Sequence, residues 1–192
     1  MAKRNEHSLE EIKAMVLNAA ETIIIEQGFS SLTIRKIAME MGYTVGSIYM
    51  VFNSRADLIL HINARTLEEL ITYLQPNTTG DIEQWIKAYL KFVCHNQHRW
   101  QMVFAANLLE NKTQPEWYQA QLDEVFQQFA GYFTEVSPEQ NAHAVQALWQ
   151  GIQGICLFSP ANDSEASVLI LLRTFLRDWN RSGQAHKKST HD

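Results

Sequence analysis

Apolar residues recur along this chain at spacings of three and four, and period-two alternation is almost absent, so the pattern predicts helices throughout. All four prolines, Pro76, Pro115, Pro138 and Pro160, fall where that periodicity breaks. Ser8 with Glu11 has the spacing of a reciprocal cap, and Ile12, Val16, Ala19, Ala20 and Ile23 then mark one face as far as Gly28. Thr33 opens a short second helix with Ile34, Ile37, Ala38 and Met41 inward, and Gly42 suits the left-handed backbone that stops it. Thr44 can cap a third helix to about Val51, and Ser54 with Asp57 starts a long fourth through Leu58, Ile62, Leu67 and Leu70 to Leu74. Beyond the break at 76–80, Asp81 with Gln84 opens a further series expected near 82–96, 98–111, 115–134, 138–158 and 164–181, and residues 182–192 are expected to be a disordered tail.

The stretch TIRKIAMEMGYTVGSIYMVFNSR, residues 33–55, joins two helices too short to be stable alone through one glycine. A helix-turn-helix needs that arrangement: a joint tolerant of positive φ (Gly42), a small residue where the helices cross (Ala38), and apolar anchors beneath the second helix (Ile34, Ile37, Ile48, Phe52). What the anchors leave outside is Thr44, Val45, Gly46, Ser47, Tyr49 and Met50. Thr44 and Ser47 can exchange hydrogen bonds with base edges, Val45 and Met50 can touch thymine methyls, and Gly46 allows close approach. Tyr49 can reach a phosphate or a base.

The stretch resembles the TetR family of bacterial transcriptional regulators, over about residues 9–70. The residues that carry the likeness are Gly28-Phe29, Thr33-Ile34-Arg35-Lys36-Ile37-Ala38, Gly42, Gly46-Ser47-Ile48-Tyr49, Phe52-Asn53-Ser54-Arg55 and Leu58. The resemblance implies that Thr33 and Arg35 work at the start of the buttressing helix, that Ser47, Tyr49 and Met50 face DNA, and that Arg55 binds phosphate where the family usually has lysine. It further implies an all-α chain: an N-terminal helix-turn-helix domain at 8–55 (motif 33–52), joined by a long helix to an effector-binding and dimerisation domain at 56–181. The implied function is a sequence-specific regulator, a repressor released from a pseudo-palindromic operator by a small molecule. Val45 and Val51 depart from the family pattern, where many relatives carry lysine and a second aromatic. Lys3 and Arg4 in the N-terminal arm can compensate for the lost phosphate donor.

The second half is rich in aromatic residues, which suits an apolar or aromatic ligand; Trp100, Phe104, Phe126 and Trp149 are the pocket candidates, against the alternative of an ordinary core. The segment ALWQGIQGICLF, residues 147–158, is similar to a Trp-His-Gly-containing helix of one branch of these regulators, with Gln153 in place of the histidine. Gly151 and Gly154 would let a neighbouring helix approach, and Val168, Leu169, Leu172, Phe175, Leu176 and Trp179 line the last helix, so the two suit a homodimer interface or close packing within one chain.

Composition narrows the alternatives. The chain has 46% hydrophobic residues, enough for a core, and 16 Lys plus Arg against 21 Asp plus Glu, a net charge of −5, so any nucleic-acid contact must be a local patch. Residues 28–56 supply one: Arg35, Lys36 and Arg55 against Glu40. Two cysteines, Cys94 and Cys156, give no disulfide framework, and with a charged N-terminus and no long apolar run the expected compartment is the cytoplasm, with no membrane partner. Cys94 and His98 share a helical face beside His95, but two ligands are not a metal site, so no metal or cofactor is expected and a metal-responsive regulator is the lesser reading. No nucleophile elbow, phosphate-cradling glycine loop, zinc-protease helix or framed carboxylate pair is present, which argues against an enzyme. A helical ligand-binding or protein-interaction module without DNA affinity is the alternative from another class.

Overall fold

The computed structural model describes residues 7–75, 80–109, 114–133, 138–158 and 161–189. Among the described residues there are nine α-helices and no strand: α1 (Leu9–Gln27), α2 (Ile34–Met41), α3 (Val45–Tyr49), α4 (Arg55–Leu74), α5 (Ile82–His95), α6 (Gln97–Leu109), α7 (Glu116–Ala130), α8 (Pro138–Phe158) and α9 (Ala161–Ser189). The chain is all-α, as expected.

Helix starts follow the capping chemistry written into the sequence. Ser8 Oγ accepts the Glu11 N–H at 3.2 Å, while the Glu11 carboxylate accepts the Ser8 N–H at 2.7 Å. Thr33 Oγ1 accepts from Lys36 N, Thr44 Oγ1 from Ser47 N and Ser54 Oγ from Asp57 N, at 3.2, 3.2 and 3.0 Å. Asp81 caps α5 by accepting the Gln84 N–H at 2.8 Å.

Helix ends were less legible. α7 stops at Ala130 rather than 134, and Gly131 donates to the Gln127 carbonyl at 2.9 Å. α9 runs from Ala161 to Ser189, beyond the expected 164–181 at both ends. Gln184, Ala185, Lys187 and Lys188 are strong helix formers, and the single Gly183 among them weakens a helix without ending it. Phe29–Ser31 forms a short 3-10 turn that the periodicity did not reveal.

Two compact units are present: residues 1–69 with 96–119, and residues 70–95 with 120–192. In the first, Val16, Ala20, Ile23 and Ile24 of α1 pack with Ile37 and Ala38 of α2, Ile48 of α3, Phe52, and Leu58 and Ile62 of α4. α6 enters this unit with Met102 in the core and Arg99 only 6% exposed. A guanidinium at that depth must be matched. Arg99 donates to both Glu69 carboxylate oxygens at 2.7 and 2.9 Å and to Thr66 Oγ1 at 3.2 Å, with Glu21 Oε1 at 3.9 Å. Arg65 joins Glu21 at 3.3 Å and Asn18 at 2.8 Å, so α1, α4 and α6 share one polar network. Burial pushes the Glu21 carboxyl upward, against the pull of Arg65 and Arg99. In the second unit, α8 and α9 lie side by side. A Cβ at Gly151 would meet Leu171 Cδ2 at 3.2 Å, so this glycine permits a close approach, whereas the position of a Cβ at Gly154 is open.

The joint between α2 and α3 depends on one backbone conformation. Gly42 has φ 67° and ψ 27°, and nothing lies within 4 Å of a Cβ placed there, so the requirement is conformational and not steric crowding. Gly42→Ala is therefore expected to lower the unfolding free energy by about 1–2 kcal/mol, measured by urea denaturation. Gly46→Ala, whose added methyl would touch Thr44 Oγ1 at an ordinary 3.6 Å, should not lower it. Equal effects of the two substitutions would mean that the left-handed joint is not the constraint described.

Candidate functional site

α2 carries a single turn of core contact and a stop. Ile37 is fully buried and Ala38 3% exposed, while Gly42 ends the helix and Tyr43 N donates back to the Ala38 carbonyl at 2.9 Å. That closure turns the chain into Thr44 and sets the axis of α3. Ile48, fully buried, and Phe52, 2% exposed, then pin the next segment to the core.

The opposite side of this segment is open. Thr44, Gly46, Val45, Tyr49 and Met50 are exposed, the last three by 37%, 50% and 64%. Ser47 is half-buried. Its hydroxyl lies 3.0 Å from Thr44 Oγ1, which already accepts the Ser47 N–H at 3.2 Å, so the two hydroxyls form a local pair at the start of α3. The pair rigidifies that start and leaves one hydroxyl O–H to donate to a phosphate or base acceptor, with lone pairs left to accept from a base amino group.

Thr33 and Arg35 are both exposed at the first turn of α2, and Thr33 Oγ1 is engaged by Lys36 N. Lys36 Nζ donates to Gln27 Oε1, which draws this cation toward α1. Arg55 is exposed at the first position of α4, held in two ways. Its guanidinium carbon lies 5.5 Å from the centre of the Phe29 ring, and Nη2 is 3.5 Å from the Leu32 carbonyl oxygen. The Phe29–Ser31 turn thus sets the direction of an arginine 23 positions from Leu32. Met39, one helical turn from Arg35 on α2, is 81% exposed and was not singled out from sequence. An apolar residue off the buried face of so short a helix was the available signal. Lys3 and Arg4 lie outside the described residues.

The ligand candidates divide between the two units. Trp100 and Phe104 belong to the first, where their rings meet edge-on at 5.5 Å, and Phe126 and Trp149 to the second, with centroids 6.4 Å apart. Trp85, Tyr89 and Gln153, not nominated from sequence, lie in the same cluster as Trp149. Cys94 is exposed, His95 Nδ1 is 2.7 Å from the Lys91 carbonyl and His98 Nδ1 is 3.2 Å from that of Ile25. Among the described residues no group of three or more His, Cys, Asp or Glu is placed to hold a metal ion. Burial, reinforced by Cys94, pushes the Cys156 thiol up to about 12, so it is an inert thiol at neutral pH. Among the described residues no helix is long and apolar enough to cross a membrane.

An exposed short helix on buried anchors, reached through a left-handed joint and flanked by Arg35 and Arg55, defines a helix-turn-helix DNA-binding head. Residues 16–62 of the chain match the family described as bacterial regulatory proteins, tetR family. Its fold is shared with solved regulators of low identity. A transcriptional regulator from Rhodococcus sp. Rha1 superposes with a TM-score of 0.67 at 16% identity, covering 86% of this chain and 96% of that one. The regulator FadR from Bacillus subtilis, solved with stearoyl-CoA, gives 0.64 at 17% identity over 84% and 96%. The multidrug binding protein EbrR, solved with imidazole, gives 0.62 at 17% over 84% and 93%. No curated protein matches the sequence.

If Arg35 and Arg55 contact phosphates, Arg35→Ala and Arg55→Ala should each weaken DNA binding across sequences and reduce the slope of log affinity against log salt by about 1. The double variant should lose operator binding altogether. Fluorescence anisotropy over a salt series reads both, and an unchanged slope would remove these arginines from the interface.

Proposed function

We propose that the chain is a cytoplasmic homodimeric repressor whose two heads read a pseudo-palindromic operator, and that a small apolar or aromatic molecule releases it. Residues 8–55 then form the DNA-binding domain and 56–181 the effector-binding and dimerisation domain. One observation carries the reading: Val45, Tyr49 and Met50 stand exposed on a helix whose inner residue Ile48 is wholly buried. Side chains of that size left outside a packed head are complementary to the edges of a major groove, where methyl groups and hydrogen-bonding atoms alternate.

Support for a dimer comes from the second unit. Phe158 at the end of α8 is 87% exposed and Ile170 on α9 is 66% exposed, while Gly154 has open space above it. Exposed apolar side chains on two adjacent long helices are what a two-fold partner would cover. Support for an effector comes from the aromatic content of the same unit, and from two relatives in fold that were solved with small molecules, stearoyl-CoA and imidazole. Release follows if effector and operator favour different separations of the heads, a coupling of about 1–3 kcal/mol in allosteric proteins.

The test uses purified full-length protein and duplex DNA from upstream of its own gene. Saturable binding by two subunits is expected, weakened about 5- to 150-fold by an effector that binds the free protein. Retention of operator affinity in the presence of every bound aromatic ligand would contradict release. Failure to bind DNA at low salt would contradict the repressor itself.

A further inference from the structure

In the second unit α5, α7 and α8 converge on one aromatic cluster. Trp85 and Tyr89, one turn apart on α5, are stacked with centroids 5.7 Å apart and planes 3° from parallel. Trp149 of α8 lies 6.2 Å from Trp85, 5.3 Å from Tyr89 and 5.0 Å from Phe129. Rings at these distances are typical of any well-packed core. The polar atoms among them are not.

Tyr89 Oη donates to Gln153 Oε1 at 2.6 Å. That bond orients the carboxamide: with its oxygen held by the hydroxyl, the Gln153 Nε2 amine points elsewhere, buried and without a hydrogen-bond partner. Trp85 Nε1 is likewise buried and unpartnered, and an indole nitrogen can only donate. Two unpaired donors therefore sit in one cluster, linked through the Trp85–Tyr89 stack and the Tyr89–Gln153 bond. Folded proteins rarely leave such groups unmatched, because each forfeits its hydration with nothing in return.

Charge narrows what could match them. The polar or charged side chains of this unit that are buried as a whole, among the described residues, are Gln153 and Ser164, and the Gln128 amide oxygen of α7 is a further buried polar atom. Neither an acid nor a base is buried there to neutralise an ion. A cation would find aromatic faces but also N–H groups of the wrong polarity, and an anion would find donors but no counter-charge.

We propose that this cluster is the effector site and that it takes a flat, uncharged ring system bearing a carbonyl-type acceptor, seated against Trp149 with the acceptor on the Trp85 and Gln153 donors. Calling the ligand an effector rests on the repressor reading; the binding chemistry does not. Of the residues nominated from sequence, Phe126 and Trp149 belong to this cluster, with centroids 6.4 Å apart.

Four probes that share one ring separate the possibilities: 2-acetylnaphthalene, 2-isopropylnaphthalene, 2-naphthoate and trimethyl(2-naphthyl)ammonium. Equilibrium dialysis against the full-length protein, without DNA, measures each. The acetyl compound should bind about 10-fold tighter than its isopropyl isostere and tighter than both ions, since a site built to donate rejects a partner that cannot accept. Gln153→Leu and Trp85→Phe should each shrink the ratio of acetyl to isopropyl affinity to about 3-fold or less. Equal or tighter binding of the isopropyl compound or either ion would overturn the proposal, as would discrimination that survives both substitutions, or binding of no probe. Should a variant fail to fold, the wild-type ranking decides. Because DNA is absent, a failed ranking leaves the repressor reading standing, and a failed operator assay leaves the ranking standing.

Discussion

The head hangs on a reversal of chain direction that only a left-handed residue makes without strain. Gly42 supplies it, and the Tyr43 N–H bonded to the Ala38 carbonyl closes the turn. Once the reversal is fixed, Thr44 falls at the cap of α3 and Ile48 and Phe52 fall into the core. Exposure of Tyr49 and Met50 is then a geometric consequence, because a helix that buries Ile48 turns the next two positions away from the core; Val45, three positions earlier on the Ile48 side, is the least exposed of the three. α3 spans only Val45–Tyr49, far too short to persist alone, so its order derives from the packing beneath it.

The same unit shows how cohesion and reading are divided. Cohesion is apolar near the joint and polar farther along α4, where Arg99, Glu69, Thr66, Glu21 and Arg65 bind α1, α4 and α6 together. A network of that kind is costly to break in part, since removing one partner strands a buried charge. The surface proposed to read DNA is built from residues with little or no role in the core. Arg55 stacks on Phe29 while its charge stays at the surface.

What the sequence made legible is what acts locally. Ser8 with Glu11, Thr33 with Lys36, Gly42, Thr44 with Ser47, and Asp81 with Gln84 each declare a helix end within a few residues, and the structure uses every one. The exposed residues of the head could be listed because the anchors could. Contacts between distant parts of the chain left no such trace. Arg99 looks like a surface residue among His98 and Gln101, and its burial depends on Thr66 and Glu69, some thirty positions away. Gln153 reads as a polar position on α8, and its role depends on Tyr89, 64 positions distant. The length of α9 escaped for another reason: the helix formers that follow the single Gly183 carry the helix on to Ser189, beyond the expected end at 181.

Selection of bound duplexes from a random DNA library with the full-length protein, followed by sequencing, tests most directly whether the 44–50 segment reads base edges as one of a symmetric pair. The expected outcome is enrichment of an inverted repeat with half-sites about one helical turn apart or slightly more. Enrichment of a motif without two-fold symmetry, or of no motif at all, would contradict it.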